Sequence, residues 1–142
     1  QERLLLAAQC VAIGELALRE SVQYSRDRHA FGRPIAGFQV TRHKLADMAS
    51  RLAAARSLTG ELAVRYSRGE QDPALAAMAK NTATDMCSFV VDQAVQIHGG
   101  YGYMEEYHLE KLARDSKLLE LGAGTTDINL LSAARSLIGI QE

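Results

Sequence analysis

Apolar residues recur at helical spacing through most of the chain and divide it into long segments. The first segment runs from Glu2 to about Ser25, and the second from about Phe38 to Arg68. One stripe of the first segment is apolar, formed by Leu4, Ala8, Val11, Leu18 and Val22. Apolar and small residues of the second alternate steps of three and four: Leu45, Met48, Leu52, Ala55, Thr59, Leu62 and Tyr66. Both patterns predict long helices that pack against neighbouring helices.

Glycine and proline mark the ends of these helices. Residues 26–37 contain two glycines and a proline, which predict a loop. Gly69 follows the second helix at the position where glycine commonly ends one. Asp72 and Pro73 predict the start of a third helix, with Asp72 as its N-cap and Pro73 as its first residue.

The rest of the chain also reads as helices. The third helix ends at Gly99-Gly100, before a loop over residues 101–106. A short helix is predicted from Tyr107 to Leu119 and a last one from about Asp127 to Ile138, capped by residues 125–127. Strand signals are almost absent, because the β-branched residues fall inside helical periods. The predicted fold class is therefore all-α, an antiparallel four-helix-type bundle formed by one domain over residues 1–142.

Composition narrows the function classes. The chain has 142 residues, of which 47% are hydrophobic, and a formal net charge of −1. This suits one folded domain, argues against nucleic-acid binding, and leaves no apolar run near the ~20 residues that span a bilayer. Cys10 and Cys87 lie far apart in a chain without a secretory signal, so we expect reduced core thiols. Because the sequence begins at Gln1 already in helical pattern, we expect a piece of a longer protein.

Motifs for common chemistries are missing from the sequence. Four histidines lack metal-ligand spacing, so we expect no metal site: His29, His43, His98 and His108. Residues 122–127 are one residue short of a dinucleotide-binding glycine motif, and they follow a helix rather than a strand. The glycine-rich breaks at residues 99–102 and 122–124 have two interpretations. They are helix ends with turns, or they expose backbone amides to a ligand.

Several motifs, in order, resemble the C-terminal helical domain of acyl-CoA dehydrogenases. They are Arg28-x-x-Phe31-Gly32-x-Pro34-Ile35 with Gln39, Leu45-Ala46-Asp47-Met48, Ala79-Lys80, Ala94 to Tyr103, Arg114-Asp115, and Gly124-Thr125-x-Asp127-Ile128. The match covers essentially the whole chain. It implies α,β-dehydrogenation of an acyl-CoA thioester with FAD, in fatty acid β-oxidation. A carboxylate would take the α-proton, hydride would pass to flavin N5, and electrons would leave to an electron-transfer flavoprotein.

One departure from the family pattern concerns the catalytic base. Many members carry a glutamate immediately before the Gly-Thr pair, where this chain has Ala123. The long-chain and isovaleryl types instead carry it on the first helix of this domain, in a motif similar to Glu2-Arg3-Leu4. The resemblance therefore implies that Glu2 is the base, the alternative being a solvated first-turn carboxylate. Ala123 would contribute its backbone amide to the thioester carbonyl, with Arg3 and Gly124 beside the substrate.

The resemblance also implies which residues bind FAD, partly across a subunit interface. They are Arg28, Phe31, Gln39, Gln96, Ile97, Gly99, Gly100, Thr125 and Asp127. Structural alternatives are a helix-end cation for Arg28, a core residue for Phe31, a solvated helix start for Gln39, and helix capping for Thr125 and Asp127. Tyr103 is interpreted as a packing residue.

The resemblance further implies a homo-oligomer, a dimer or a dimer of dimers. It implies a bacterial cytoplasmic or a mitochondrial matrix location, and not secretion. Two other functions remain open, a non-catalytic bundle subunit and an acyl-CoA oxidase-like flavoenzyme. We expect the isolated chain to be inactive, because the remaining domains of such an enzyme would be missing.

Overall fold

Five α-helices make up most of the computed structural model, which describes residues 1–140. Their bounds are α1 Glu2–Asp27, α2 Gln39–Ser67, α3 Pro73–His98, α4 Leu109–Leu121 and α5 Thr126–Ile138. The predicted all-α class is confirmed. The short helix α4 begins and ends two residues later than predicted, and α1 extends two residues further, to Asp27.

Helix α3 lies at the centre of the bundle and contacts the other four helices. Its buried face continues into the buried faces of α1 and α2, and small residues supply much of this core. The buried core cluster is Ala7, Cys10, Val11, Ala17, Met48, Leu52, Ala55, Ala83, Met86, Cys87, Val90, Val91, Ala94, Leu109 and Leu119. Such a stripe of alanine and cysteine side chains lets neighbouring helices approach closely, as dense packing of protein interiors requires.

The two cysteines are part of this core, and both are free thiols, as predicted. A hydrogen bond with Cys10 and burial both raise the pKa of the Cys87 thiol, which therefore stays protonated.

The predicted ends of α2 and α3 are confirmed. Gly69 adopts φ +78° just after α2, and its N–H donates to the Tyr66 carbonyl at 3.0 Å. At the start of α3, the Asp72 side chain accepts a hydrogen bond from the backbone N–H of Leu75 at 2.8 Å. Pro73 is the first helical residue. These local signals are reliable because each satisfies a backbone group that the helix end leaves unpaired.

The loop predicted between α1 and α2 is more ordered than the sequence indicates. Strands β1 (His29–Ala30) and β2 (Arg33–Pro34) form an antiparallel hairpin. Its two central residues, Phe31 and Gly32, have φ of 52° and 78°, which the twist of a two-residue hairpin favours. A 3-10 turn at Ile35–Gly37 follows, and another replaces the start of the loop predicted after α3, at Gly99–Tyr103. Strands of two residues are too short to leave an alternating pattern.

Within residues 1–140, no helix combines the length and the apolar character needed to cross a membrane.

Gly14 lies where α1 crosses α2 and α3. A Cβ atom there would meet the Met86 Sδ atom at 2.9 Å and a Leu52 methyl carbon at 3.1 Å. Gly60 is also helical, but a Cβ there would meet nothing within 4 Å. Substitution of these two glycines therefore distinguishes the effect of packing on stability from the effect of backbone entropy.

We expect Gly60→Ala to raise the free energy of unfolding by ~0.5–1 kcal/mol, because alanine has the higher helix propensity. Gly14→Ala should lose this gain to crowding, and Gly14→Val should lower the free energy of unfolding by ~1–3 kcal/mol. Chemical denaturation of the three variants measures both effects. Equal stabilisation by the two alanine variants would contradict a close crossing at Gly14.

Candidate functional site

The N-terminus of α1 and the turn between α4 and α5 border one cleft of about 760 Å³, called here the N-terminal cleft. Its lining residues are Gln1, Glu2, Arg3, Leu4, Leu62, Tyr66, Glu70, Gln71, Asp72, Pro73, Ala76, Ala123 and Gly124. The four residues predicted for catalysis and substrate binding are thus brought together, although 120 positions separate Arg3 from Ala123.

Direct contacts join α1 to this turn. The Arg3 Nε–H donates to the Ala123 carbonyl at 3.4 Å. One turn further along α1, a methyl carbon of Leu6 lies 3.4 Å from the position of a Cβ atom on Gly122. Because Glu2 and Leu6 are four residues apart and share a helix face, Glu2 projects from the side of α1 that faces the turn.

The turn itself has an unusual backbone. Ala123 and Gly124 both have positive φ, at 51° and 92°. For a residue with a Cβ atom, the left-handed conformation costs ~1–2 kcal/mol. Such a conformation persists where surrounding contacts impose it, and it is common at functional sites.

Three buried side chains bond to backbone carbonyls on either side of Ala123, and none of them is among the site residues predicted from the sequence. Lys80 is fully buried, and its Nζ donates to the Glu120 carbonyl at 2.7 Å and the Gly124 carbonyl at 3.0 Å. Asn129 donates to the Gly124 carbonyl at 2.9 Å, and Asn81 to the Thr126 carbonyl at 3.0 Å. The signal in the sequence that could have indicated this network is the position of Lys80, on a face of α3 that otherwise carries small residues.

The surroundings of Lys80 shift the pKa of its ammonium group in two directions. Burial lowers the pKa of the Lys80 ammonium, while the nearby Glu120 and Asp85 carboxylates oppose this shift. The Glu120 carboxylate itself accepts hydrogen bonds from Ser88 and Lys117. The ammonium is thus directed to backbone carbonyl oxygens rather than to a carboxylate.

The other end of α1 borders a second cavity, of about 670 Å³, called here the Arg28 groove. It is lined by Tyr24, Arg28, Ile35, Ile97, His98, Gly99, Gly100, Tyr101 and Met104. Four residues predicted to bind a cofactor therefore meet here: Arg28, Ile97, Gly99 and Gly100. The Arg28 guanidinium carbon lies 5.7 Å from the centre of the Tyr101 ring.

His98 is buried at the base of this groove. Its ring stacks on the Tyr24 ring with centroids 4.1 Å apart, and its Nδ1 lies 2.8 Å from the Ala94 carbonyl. Burial lowers the pKa of His98, although the Ala94 carbonyl and Glu20 oppose this shift. His98 is therefore a core histidine.

Three other predicted residues lie outside the groove lining. Phe31 is 96% exposed at the tip of the hairpin, so its interpretation as a core residue is wrong. Gln39 is exposed at the start of α2, as a solvated helix start would be, and Gln96 is exposed on α3. Tyr103 is 83% exposed, so its interpretation as a packing residue is also wrong. Phe31 is exposed because it is one of the two turn residues between β1 and β2.

Thr125 and Asp127 lie at the start of α5, beside the N-terminal cleft. Thr125 is the N-cap residue but its side chain makes no capping hydrogen bond, while Asp127 is exposed in the first turn. Capping by the Thr125 side chain is therefore not observed.

The predicted cofactor residues form two groups, at opposite ends of α1. A helix of 26 residues separates these ends by roughly 39 Å at 1.5 Å per residue.

In the part of the chain that the structure describes, no three His, Cys, Asp or Glu side chains are grouped so as to hold a metal ion.

Comparison with known proteins gives one consistent result. The family model described as "Acyl-CoA dehydrogenase, C-terminal domain" matches residues 1–138. A probable acyl-CoA dehydrogenase, YngJ of Bacillus subtilis, is 42% identical over 136 residues, which are 96% of this chain and 36% of that protein. The acryloyl-CoA reductase (NADH) of Anaerotignum propionicum is 40% identical over 96% of this chain and 34% of its own.

The fold agrees with a solved structure of the same kind. Butyryl-CoA dehydrogenase from Megasphaera elsdenii superposes with a TM-score of 0.94 at 40% identity, covering 96% of this chain and 36% of that one. The chain therefore spans about a third of the length of the proteins that it matches.

Protonation of His98 should make folding depend on pH. Because burial holds the pKa of folded His98 below the unfolded value of ~6.5, the unfolded state binds more protons between the two values. The free energy of unfolding should therefore have its full value above pH ~6.5 and decrease below that pH. The decrease is at most ~1.4 kcal/mol per pH unit for one proton.

Denaturation between pH 7 and pH 5 measures this slope. His98→Phe should reduce it, whereas replacement of the exposed His43 by Gln should leave it unchanged. An identical slope in wild type and His98→Phe would contradict the assignment.

Proposed function

Because the chain belongs to the acyl-CoA dehydrogenase family, whose C-terminal domain it matches, we propose that it is the C-terminal part of a longer enzyme. This enzyme removes hydrogen from the α and β carbons of an acyl-CoA thioester and forms the trans-2-enoyl-CoA. The observation that supports the proposal is the meeting of Glu2, Arg3, Ala123 and Gly124 at one cleft.

Glu2 is proposed as the base that takes the α-proton. Because Ala123 has no carboxylate, the base is proposed to come from elsewhere in the cleft. Besides Glu2, the cleft lining contains the carboxylates of Glu70 and Asp72. Asp72 already caps α3 and pairs with Arg65 at 3.3 Å, which makes it unsuitable as a base. Glu2 lies on the same helix as Arg3, whose side chain contacts Ala123.

The Ala123 amide is proposed as a donor to the thioester carbonyl. Removal of the α-proton builds negative charge on this oxygen, and a prearranged N–H group stabilises that charge. Among residues 1–140, the Ala123 N–H has no hydrogen-bond acceptor, and Ala123 borders the cleft. Base and donor would thus stand on different segments, α1 and the turn before α5.

The family is flavin-dependent, and we propose that FAD is the cofactor. When bound, FAD accepts the hydride that leaves the β-carbon. The Arg28 groove fits its adenosine diphosphate half. The guanidinium of Arg28 suits the pyrophosphate, the Gly99-Gly100 backbone permits a close approach, and Ile97 gives an apolar wall.

We propose a homo-oligomer because the predicted cofactor residues form two separate groups. Thr125 and Asp127 are separated from Arg28 by the length of α1, further than one FAD molecule reaches. The two groups are therefore proposed to serve different FAD molecules, shared between subunits of a dimer or of a dimer of dimers. Phe31, Gln39 and Gln96 are proposed to complete the cofactor contacts from their exposed positions.

An electron-transfer flavoprotein is the proposed electron acceptor, and the bacterial cytoplasm or the mitochondrial matrix is the proposed location. One similar protein is named as a reductase of acryloyl-CoA, so the reaction is best assayed in both directions.

Glu2→Gln in the full-length protein should reduce acyl-CoA-dependent flavin reduction by ~10²–10⁴-fold, the usual contribution of general base catalysis. Stopped-flow bleaching of the flavin absorbance measures this rate. Glu70→Gln is the matched control, because Glu70 borders the same cleft and should leave the rate near that of wild type.

Retention of the wild-type rate by Glu2→Gln would refute Glu2 as the base. The double variant Glu2→Gln/Ala123→Glu adds a gain-of-function arm. A glutamate placed on the turn should restore part of the lost rate, since it borders the same cleft.

Arg28→Gln should weaken FAD retention by ~10- to 100-fold, because a charge-assisted hydrogen bond contributes ~1.5–3 kcal/mol. Flavin content after dialysis of the full-length protein, measured by absorbance, checks this. Arg26→Gln is the control, because Arg26 is an exposed arginine on the last turn of α1 that does not line the groove. Equal flavin loss from both variants would contradict a specific role of Arg28.

A further inference from the structure

Lys80 connects the end of α4 to the turn before α5 in a way that the proposed reaction does not yet use. Its Nζ donates to the carbonyls of Glu120 and Gly124, which lie on either side of Ala123 in sequence. The ammonium thus fixes both ends of the segment whose amide is the proposed donor to the thioester. A lysine near a helix C-terminus also suits the negative end of the α4 dipole.

We propose that Lys80 is a positioning residue: it orients the peptide groups around Ala123 so that the Ala123 N–H faces the N-terminal cleft. Lys80 acts through the backbone and does not touch the substrate. The proposal rests on the function proposed above, because it concerns the donor that stabilises negative charge on the thioester oxygen.

The left-handed conformation of Ala123 supports this role. A residue with a Cβ atom leaves this conformation readily unless its neighbours are held. The next carbonyl, that of Gly124, accepts two hydrogen bonds, from Lys80 at 3.0 Å and from Asn129 at 2.9 Å. Both lone pairs of this oxygen are therefore used, and rotation of the Gly124 peptide would break both bonds.

The orientation of the Asn129 side-chain amide favours the hydrogen bond to Gly124 over a partner for its own oxygen. Its side-chain nitrogen donates to Gly124 and, at 3.2 Å, to the Asn81 side-chain oxygen. Its own side-chain oxygen is buried without a hydrogen-bond partner among the described residues. A flipped amide would direct this oxygen at two other acceptors, so the observed orientation is the one that serves Gly124.

A purely structural explanation leaves the choice of lysine unexplained. An uncharged side chain of similar length would fill the same volume without the desolvation penalty of a buried ammonium. In the described part of the chain Lys80 forms no salt bridge, since the nearby Glu120 carboxylate pairs with Lys117. What the ammonium provides here is a pair of strong donors for two backbone carbonyls.

The test compares Lys80→Met, Lys80→Arg and wild type in the full-length protein. Lys80→Met keeps the length of the side chain and removes the donors, whereas Lys80→Arg keeps charge and donors. Lys44→Met is the matched control, because Lys44 also bonds across helices, to Gln93, but between α2 and α3. Each variant is titrated with acetoacetyl-CoA, a 3-oxoacyl-CoA whose bound enolate absorbs in the ultraviolet and forms without turnover.

We expect Lys80→Met to raise the pKa of bound acetoacetyl-CoA by about 1 unit, since a displaced donor stabilises the enolate less. The kcat for a saturated acyl-CoA should fall by ~10- to 100-fold with KM changed by less than ~3-fold, the pattern of a lost interaction with the transition state. Amide hydrogen exchange should accelerate at residues 120–126. Lys80→Arg should recover most of the ligand pKa, and Lys44→Met should match wild type.

An unchanged ligand pKa and unchanged amide exchange at residues 120–126 in Lys80→Met would overturn the proposal. Should that variant not fold, Asn129→Leu decides the question. It removes the second donor to Gly124 at similar volume and should shift ligand pKa and amide exchange in the same direction. The absence of both shifts in Asn129→Leu would equally overturn the proposal.

Failure of the proposed function would look different. Wild type would then bind acetoacetyl-CoA without stabilising its enolate, and Glu2→Gln would not alter flavin reduction.

Discussion

Close packing of α1 on α3 is the constraint on which the rest of the structure depends. Along this contact α1 presents Ala7, Cys10, Gly14 and Ala17, all buried, and α3 presents a similar set of small residues. Small side chains bring the two helix backbones together, and the dense core leaves little freedom for α1 to slide or rotate. Residues far from the core on α1 are thus fixed in space by residues that have no chemical role.

Helix α1 extends between the N-terminal cleft and the Arg28 groove and contributes lining residues to both. Its first turn carries Glu2 and Arg3 to the N-terminal cleft, and its last turn leads into Arg28 at the other cavity. Helix α3 also contributes residues at both ends. Lys80 and Asn81 bond to the turn before α5, and Ile97 and His98 border the Arg28 groove. Two central helices therefore carry residues for both ends of the bundle, and the shorter helices close the sides.

The sequence predicted the helices well, because their ends follow local rules. The Asp72 cap and Gly69 each act on backbone groups a few residues away, so nothing distant is needed to anticipate them. The β1–β2 hairpin and the exposure of Phe31 were missed, because a hairpin of this length has no periodicity and exposure depends on the whole fold. The separation of the predicted cofactor residues into two groups likewise depends on the orientation of α1, which the sequence does not show.

The interior network around Lys80 could not be anticipated for a different reason. A buried lysine is rare, and periodicity alone marks position 80 as part of the core without saying which atoms it meets. Its partners Glu120 and Gly124 are 40 and 44 residues away, and they are backbone atoms, which any residue type could supply. The resemblance of Ala79-Lys80 to a family motif pointed to the position, and only three-dimensional contacts give it a physical reason.

The absence of a carboxylate at Ala123 has a mechanical consequence for the proposed function. In an arrangement where one residue supplies both the base and the amide donor, any shift of its backbone moves the two groups together. Here the proposed base stands on α1 and the amide on a separate turn, with the Arg3–Ala123 hydrogen bond of 3.4 Å as the direct polar link. In the proposed enzyme, independent substitutions would then adjust stabilisation of the thioester oxygen and removal of the α-proton. The cost is that the distance between the two groups depends on how firmly the first turn of α1 is held.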